Sequence, residues 1–96
     1  MGRGTTKDYA KAFQYFTQAA NQGDAQSIYA VAYMTFKGQG CKQDYAKAAV
    51  LFKGGALAGR GNSMYYYGIC WKNRYGLPKN EDASRYWFKQ GGDQWI

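Results

Sequence analysis

The stretch Asp8-Tyr9-Ala10-Lys11-Ala12 returns letter for letter as Asp44-Tyr45-Ala46-Lys47-Ala48, 36 positions further on. The same shift brings Phe16, Phe52 and Phe88 to one shared position, Gly23 to Gly59, Ser27 to Ser63 and Gly40 to Gly76. Gly2-Arg3-Gly4 echoes Gly38-Gln39-Gly40 one period upstream. The register holds across the whole chain without a gap. A fixed period of roughly 20–50 residues marks a stack of supersecondary units, each unable to bury its apolar face alone.

Each period spells two helices. The first is expected over Asp8–Gln22, Asp44–Ala58 and Asn80 to about Gln90, opening each time on a side chain that accepts hydrogen bonds from unpaired N–H groups. Tyr9, Ala12, Phe13, Phe16, Ala19 and Ala20 give it the three-and-four spacing of an amphipathic helix, with Lys11 and Lys47 on the wet side. Gly23 and Gly59 follow as stops, since glycine takes the left-handed conformation cheaply. The second helix, over Ala25–Lys37 and Asn62–Arg74, is apolar on more than one side. Ile28, Val31, Ala32 and Thr35 form one stripe; Tyr29, Tyr33 and Phe36 form another. A helix apolar most of the way round lies between neighbours, which makes it the inner layer. Small residues at Ser27, Ala32, Ser63 and Gly68 allow close approach. Glycine inside a helix costs about 1 kcal/mol against alanine, so Gly68 signals a packing demand.

These readings predict an all-α chain: a right-handed α-solenoid of antiparallel helix pairs, about two and two-thirds repeats long. Residues 1–96 form one domain, with a partial repeat at 1–23 holding only an outer helix, then repeats at 24–59 and 60–96. The unmatched first helix exposes apolar surface, so the chain is expected either to belong to a longer solenoid or to self-associate through that end. The loops Gly38-Gln39-Gly40-Cys41 and Tyr75-Gly76-Leu77-Pro78 are read as turns. With no strand before them and no Gly-Lys-Ser/Thr after, they do not form phosphate cradles.

The pattern resembles the Sel-one-like repeat (SLR) family, relatives of the tetratricopeptide repeat. The matching residues are Ser27, Gly38-Gln39-Gly40-Cys41, Asp44-Tyr45-Ala46-Lys47-Ala48, Leu51-Phe52 and Gly55-Ala56-Leu57-Ala58-Gly59, with Tyr15-Phe16 and Ala19-Ala20-Asn21-Gln22-Gly23 fitting better still. The departures are Val31-Ala32 and Tyr67-Gly68 for Leu-Gly, Thr35 and Trp71 for tyrosine, Arg74 for the first loop glycine, and Ala83-Ser84 for Lys-Ala. The resemblance implies α-solenoid adaptors that hold proteins together, and it names no partner. Some cysteine-rich relatives carry a disulfide in every repeat, which needs a cysteine pair per copy; this chain has Cys41 and Cys70 only.

Composition narrows the function. Hydrophobic residues reach 46% and aromatics 19%, too apolar for a disordered tail. No apolar run approaches the ~18 residues of a membrane span, and Met1 to Lys7 lacks the apolar core of a signal peptide. The compartment stays open between the cytoplasm and export as part of a longer precursor. There is no histidine, the commonest general base and zinc ligand. Asp24, Glu81, Asp82 and Asp93 do not assemble into paired carboxylates. No catalytic, cofactor or metal residue is assigned, and an enzyme is not expected. Cys41 and Cys70, aligned with Leu77 and Met34, read as small buried residues.

The expected activity is binding of a protein or peptide on the concave inner-helix surface. The candidate contacts are Gln26, Tyr29, Tyr33, Lys37, Asn62, Tyr65, Tyr66, Ile69, Lys72 and Asn73, with Ala30 between them. Tyrosine offers large area with little rotamer entropy and a polar tip. Each of these tyrosines has a competing reading as interhelical packing, and Tyr67 is read as core. A formal charge of +7 favours acidic partners. The cations at Lys37, Lys72 and Arg74 also suit helix C-termini. With Arg60, Lys79 and Arg85 they suggest a nucleic-acid surface, for which charge is the sole argument. The alternative class is a structural or self-association segment of a larger repeat protein.

Overall fold

The computed structural model describes residues 6–95, with side chains placed for 8–91; Gly2-Arg3-Gly4 and the side chain of Asp93 lie outside it. Five helices follow one another: α1 (Thr6–Asn21), α2 (Ala25–Lys37), α3 (Tyr45–Leu57), α4 (Gly61–Asn73) and α5 (Glu81–Trp95). There is no strand among the described residues. Each helix packs on the next in sequence, as short connections require. Helices α1, α3 and α5 are equivalent under the 36-residue shift, and so are α2 and α4.

The caps follow the sequence in two of three outer helices. Asp44 Oδ1 accepts from Lys47 N at 3.1 Å, and Asn80 Oδ1 accepts from Ala83 N at 3.0 Å. Asp8 departs from the expectation: α1 already starts at Thr6, so Asp8 sits in its first turn, where the helix dipole favours it. Helix α5 also runs past Gln90. Gly91 permits this, because a Cβ there would stand 2.9 Å from Gly61 O and 3.0 Å from Tyr65 N. At the far ends, Gly23 (φ 94°) and Gly59 (φ 87°) are left-handed, as read from sequence. The left-handed C-cap of α2 is Gly38, whereas its counterpart after α4 is Arg74 at φ 60°. Arg74 is the one non-glycine residue with positive φ among the described residues.

The core sits between the layers, around Ala32, Ala48, Ala49, Phe52, Ala56, Met64, Tyr67 and Cys70. Phe52 is fully buried, while Phe16 and Phe88 are half-buried. Their surroundings nevertheless repeat. Phe52 lies 6.1 Å from Tyr29, and Phe88 lies 5.4 Å from Tyr65, the same pair one period on. Phe52 alone has an inner helix on both sides. Gly68 meets the expected demand: a Cβ there would approach Phe88 Cδ1 to 2.9 Å.

Where the repeats differ, they compensate. Phe13 and Thr35 border one cavity together with the turn from Cys41 to Asp44 and Lys47 of α3; their counterparts are Ala49 and Trp71. The large residue has moved from outer to inner helix, so total volume is kept as close-packed interiors require. Ser27 Oγ donates to Asp24 Oδ2 at 2.5 Å, but Arg60 takes the place of Asp24 in the next repeat and the buried Ser63 hydroxyl has no partner. The loops lock the stack. A Cβ on Gly40 would overlap the backbone of Tyr9 and Ala10, and one on Gly76 would overlap Tyr45 and Ala46, one period later.

Cys70 is fully buried, and burial pushes its thiol up to about 12. Cys41 is only half-buried, which corrects the expectation of a core residue. It lies on the turn after α2, where its Sγ reaches Met34 O at 3.7 Å.

Candidate binding surface

Under the 36-residue shift the candidate residues fall mostly into pairs: Gln26 with Asn62, Tyr29 with Tyr65, Tyr33 with Ile69, and Lys37 with Asn73. Within each helix they are spaced by three and four, so each set lies on one face. The structure joins the two sets through Tyr66. Tyr33 lies 6.1 Å from Tyr29, Tyr29 lies 6.0 Å from Tyr66, and Tyr66 lies 5.6 Å from Tyr65. The result is an aromatic ladder crossing from α2 to α4.

Its exposure is uneven. Tyr65 is 37% exposed, whereas Tyr29, Tyr33 and Tyr66 are half-buried. Burial, and then the neighbouring Tyr66 and Tyr33, push the Tyr29 hydroxyl up to about 12. Tyr66 is raised for the same leading reason. Tyr29 and Tyr66 therefore keep their phenolic protons at physiological pH. At the ends of the ladder, Gln26, Lys37 and Asn73 are exposed. Lys37 Nζ lies 5.8 Å from the Tyr33 ring centroid, a cation–π distance. Asn62 is half-buried, and its Oδ1 accepts from Ser63 N at 2.8 Å. Asn73 Nδ2 donates back to Ile69 O at 3.4 Å, and Ile69 is half-buried.

Lys72 does not join this row. It borders a depression of about 260 Å³ with Glu81, Ser84, Arg85 and Phe88. Its counterpart is Phe36, which faces the next inner helix through Tyr66 at 5.8 Å. Lys72 thus lies on the side of α4 that borders α5. The other proposed cations are partly engaged there: Lys79 lies 3.6 Å from Glu81, and Arg85 lies 3.8 Å from Glu81 and 2.6 Å from Asp82. Lys11, Lys47 and Lys53 are exposed on outer helices. Positive charge on the ladder itself comes down to Lys37, so the net charge is poorly aimed at a ligand held there.

The ladder runs into a groove of about 440 Å³ between α1 and α2, lined by Tyr15, Phe16, Gln26, Tyr29, Ala30 and Tyr33 among others. Composition gave no hint of this groove, although the apolar surface expected on the first helix did. Sequence reasoning also missed an apolar pair on the outer layer. Val50 and Tyr86, one period apart, are 68% and 56% exposed. Among the described residues no group of three or more His, Cys, Asp or Glu could hold a metal. No described helix is long and apolar enough to cross a membrane.

Comparison with known proteins places this geometry. The Sel1 repeat family model matches residues 1–24, 25–59 and 55–94. A search of curated proteins gives no match. Among solved structures, a Sel1 repeat protein from Oxalobacter formigenes is similar over 85% of this chain, with a TM-score of 0.82 and 24% identity. A protective antigen of uropathogenic Escherichia coli, c5321, described as displaying an SLR fold, is similar over 97% of this chain, with a TM-score of 0.88 and 31% identity. The matched part is 63% of the first structure and 20% of the second.

Proposed function

The chain belongs to the Sel1 repeat family, whose members are generally protein–protein interaction modules, and on that premise we propose that it binds a protein or peptide along the inner-helix wall of α2 and α4. It does so without catalysis and needs no cofactor. The observation that carries the reading is the ladder Tyr33–Tyr29–Tyr66–Tyr65, flanked by the exposed amides Gln26 and Asn73. Rigid aromatic rungs supply area, and the flanking polar groups set register, the division of labour found at interface hot spots. Lys37 at one end gives acidic residues of the ligand a place to sit. The unit of function is the single domain over 1–96, read as one partial and two full repeats.

The half-burial of Tyr29, Tyr33 and Tyr66 favours the second reading, a structural or self-association segment of a larger repeat protein, because packed rings contribute to stacking whether or not a ligand arrives. A pull-down from the source cell separates the two. The bait carries Gln26→Ala with Tyr65→Ala, both at exposed positions, beside a Val50→Ala control on the outer layer. Partners retained by wild type and control but lost by the double variant support the wall. Identical partner lists for all three baits would sink it.

A further inference from the structure

Two equivalent places in the stack are filled differently. Trp71 of α4 packs its indole against Tyr67 at 5.9 Å, and Leu77 of the following turn packs on the same core. One period earlier, Thr35 stands for Trp71, Cys41 for Leu77, Phe13 for Ala49 and Lys47 for Ala83. Phe13 restores the bulk in sum but not in place, because it sits on α1 and leaves space beside Thr35. The result is a cavity of about 310 Å³, bounded by Phe13, Thr35, Cys41, Asp44 and two lysines, Lys42 and Lys47. That volume falls in the range of small-ligand pockets, roughly 300–1,000 Å³. All of its walls belong to described elements, namely α1, α2, the turn after α2 and the start of α3. The opening therefore follows from the choice of side chains within a repeat.

The lining is chemically specific. Thr35 is 2% exposed, and among the described residues its hydroxyl has one hydrogen bond, accepted from the Cys41 thiol at 3.9 Å. A buried hydroxyl so weakly engaged gains from a ligand that pairs with it. Phe13 supplies an aromatic wall. At the rim Asp44 is committed to Lys47 N at 3.1 Å, and Gln43 Nε2 donates to Phe36 O at 2.9 Å. Lys42 and Lys47 are exposed and have no ion pair among the described residues. We propose that this cavity binds an aryl carboxylate of indole size. Its ring takes the place that Trp71 fills one period later, its ring N–H meets the Thr35 hydroxyl, and its carboxylate faces Lys42 and Lys47. The group arrives as a free acid or as the C-terminal tryptophan of another chain. The assignment is independent of the inner-helix wall.

The probes are indole-3-acetate and a short acetylated peptide ending in tryptophan, each titrated into the full chain. Cys41 is the reporter, since it borders the cavity while Cys70 is fully buried. Saturable slowing of Cys41 alkylation by iodoacetamide is the expected result, and protection by one probe alone identifies the source of the ligand. Phe13→Ala combined with Thr35→Trp copies the Ala49 and Trp71 arrangement of the next repeat. This double variant should keep its helices by circular dichroism and lose binding in ligand-detected NMR. Lys47→Ala, at an exposed position, should weaken the carboxylate probe by about threefold, the range of an exposed ion pair, and leave uncharged indole unaffected. Absence of saturable protection by both probes, undiminished binding by the double variant, or equal losses for indole and the carboxylate probe in Lys47→Ala overturns the assignment.

Discussion

Phe52 and Tyr66 lie ring over ring, centroids 5.1 Å apart and 12° from parallel, across the junction of one helix pair with the next. Phe52 also touches Tyr29 and Phe36 from the preceding inner helix. A single outer-helix side chain thus fastens two successive inner helices, and it is the centre of the core. Phe52→Ala should cost about 3–5 kcal/mol, the usual range for a buried phenylalanine. Phe16→Ala and Phe88→Ala, each lacking one of those flanking helices, should cost clearly less. Urea unfolding of the three variants gives the ranking, and equal losses would contradict the role given to Phe52 as the side chain that fastens two successive inner helices.

Arg74 holds a left-handed conformation that Gly38 holds one period earlier. A side chain in that region costs about 1–2 kcal/mol. Arg74→Gly should therefore stabilise the chain, by about 1 kcal/mol after the larger unfolded-state entropy of glycine is set against the relief. A rise in thermal midpoint checks it.

Two left-handed glycines should respond differently to substitution. At Gly59 nothing lies within 4 Å of a new Cβ, so Gly59→Ala meets only the conformational cost of about 1 kcal/mol. At Gly76 the Cβ would stand 2.5 Å from Ala46 Cα and 2.8 Å from Tyr45 O. Gly76→Ala must shift the loop off α3 as well and should be the more damaging by a further ~1–3 kcal/mol. Chemical denaturation of both variants compares them directly.

Alkaline pH should loosen the ladder. Tyr29 titrates near 10.0 when unfolded and at about 12 in place, so folding favours its neutral form. That stability is fully present below the ordinary value of 10.0 and is lost as pH rises through about 12. Unfolding free energy should therefore fall across this window, and Tyr29→Phe should shallow the fall. Tyrosinate absorbance followed with helical circular dichroism measures both.

The helix pairs were legible because periodicity is a property of the whole chain, which single substitutions do not erase. Helix α2 ends where the sequence places it, and Tyr67 is core as read. Three features were not legible. The start of α1 at Thr6 was not marked by a capping side chain, and the length of α5 past Gln90 goes with the close approach of Gly91 to the backbone of α4. The direction of Lys72 follows from its alignment with Phe36 rather than from helical spacing alone. The half-burial of Cys41 reflects a turn too open to enclose it. For the wall, spacing put Tyr29, Tyr33, Tyr65 and Tyr66 on neighbouring faces, but only coordinates show Tyr66 as the ring that joins the two sets.

The central claim is that partners meet the inner-helix wall. A photo-crosslinking phenylalanine analogue placed at Tyr65 on α4, and separately at Val50 on α3, tests it in the source cell, since both positions are exposed. The account predicts a discrete crosslinked adduct from position 65 and none from position 50. An adduct from position 50 with nothing from position 65 would contradict it and move the interaction to the outer layer.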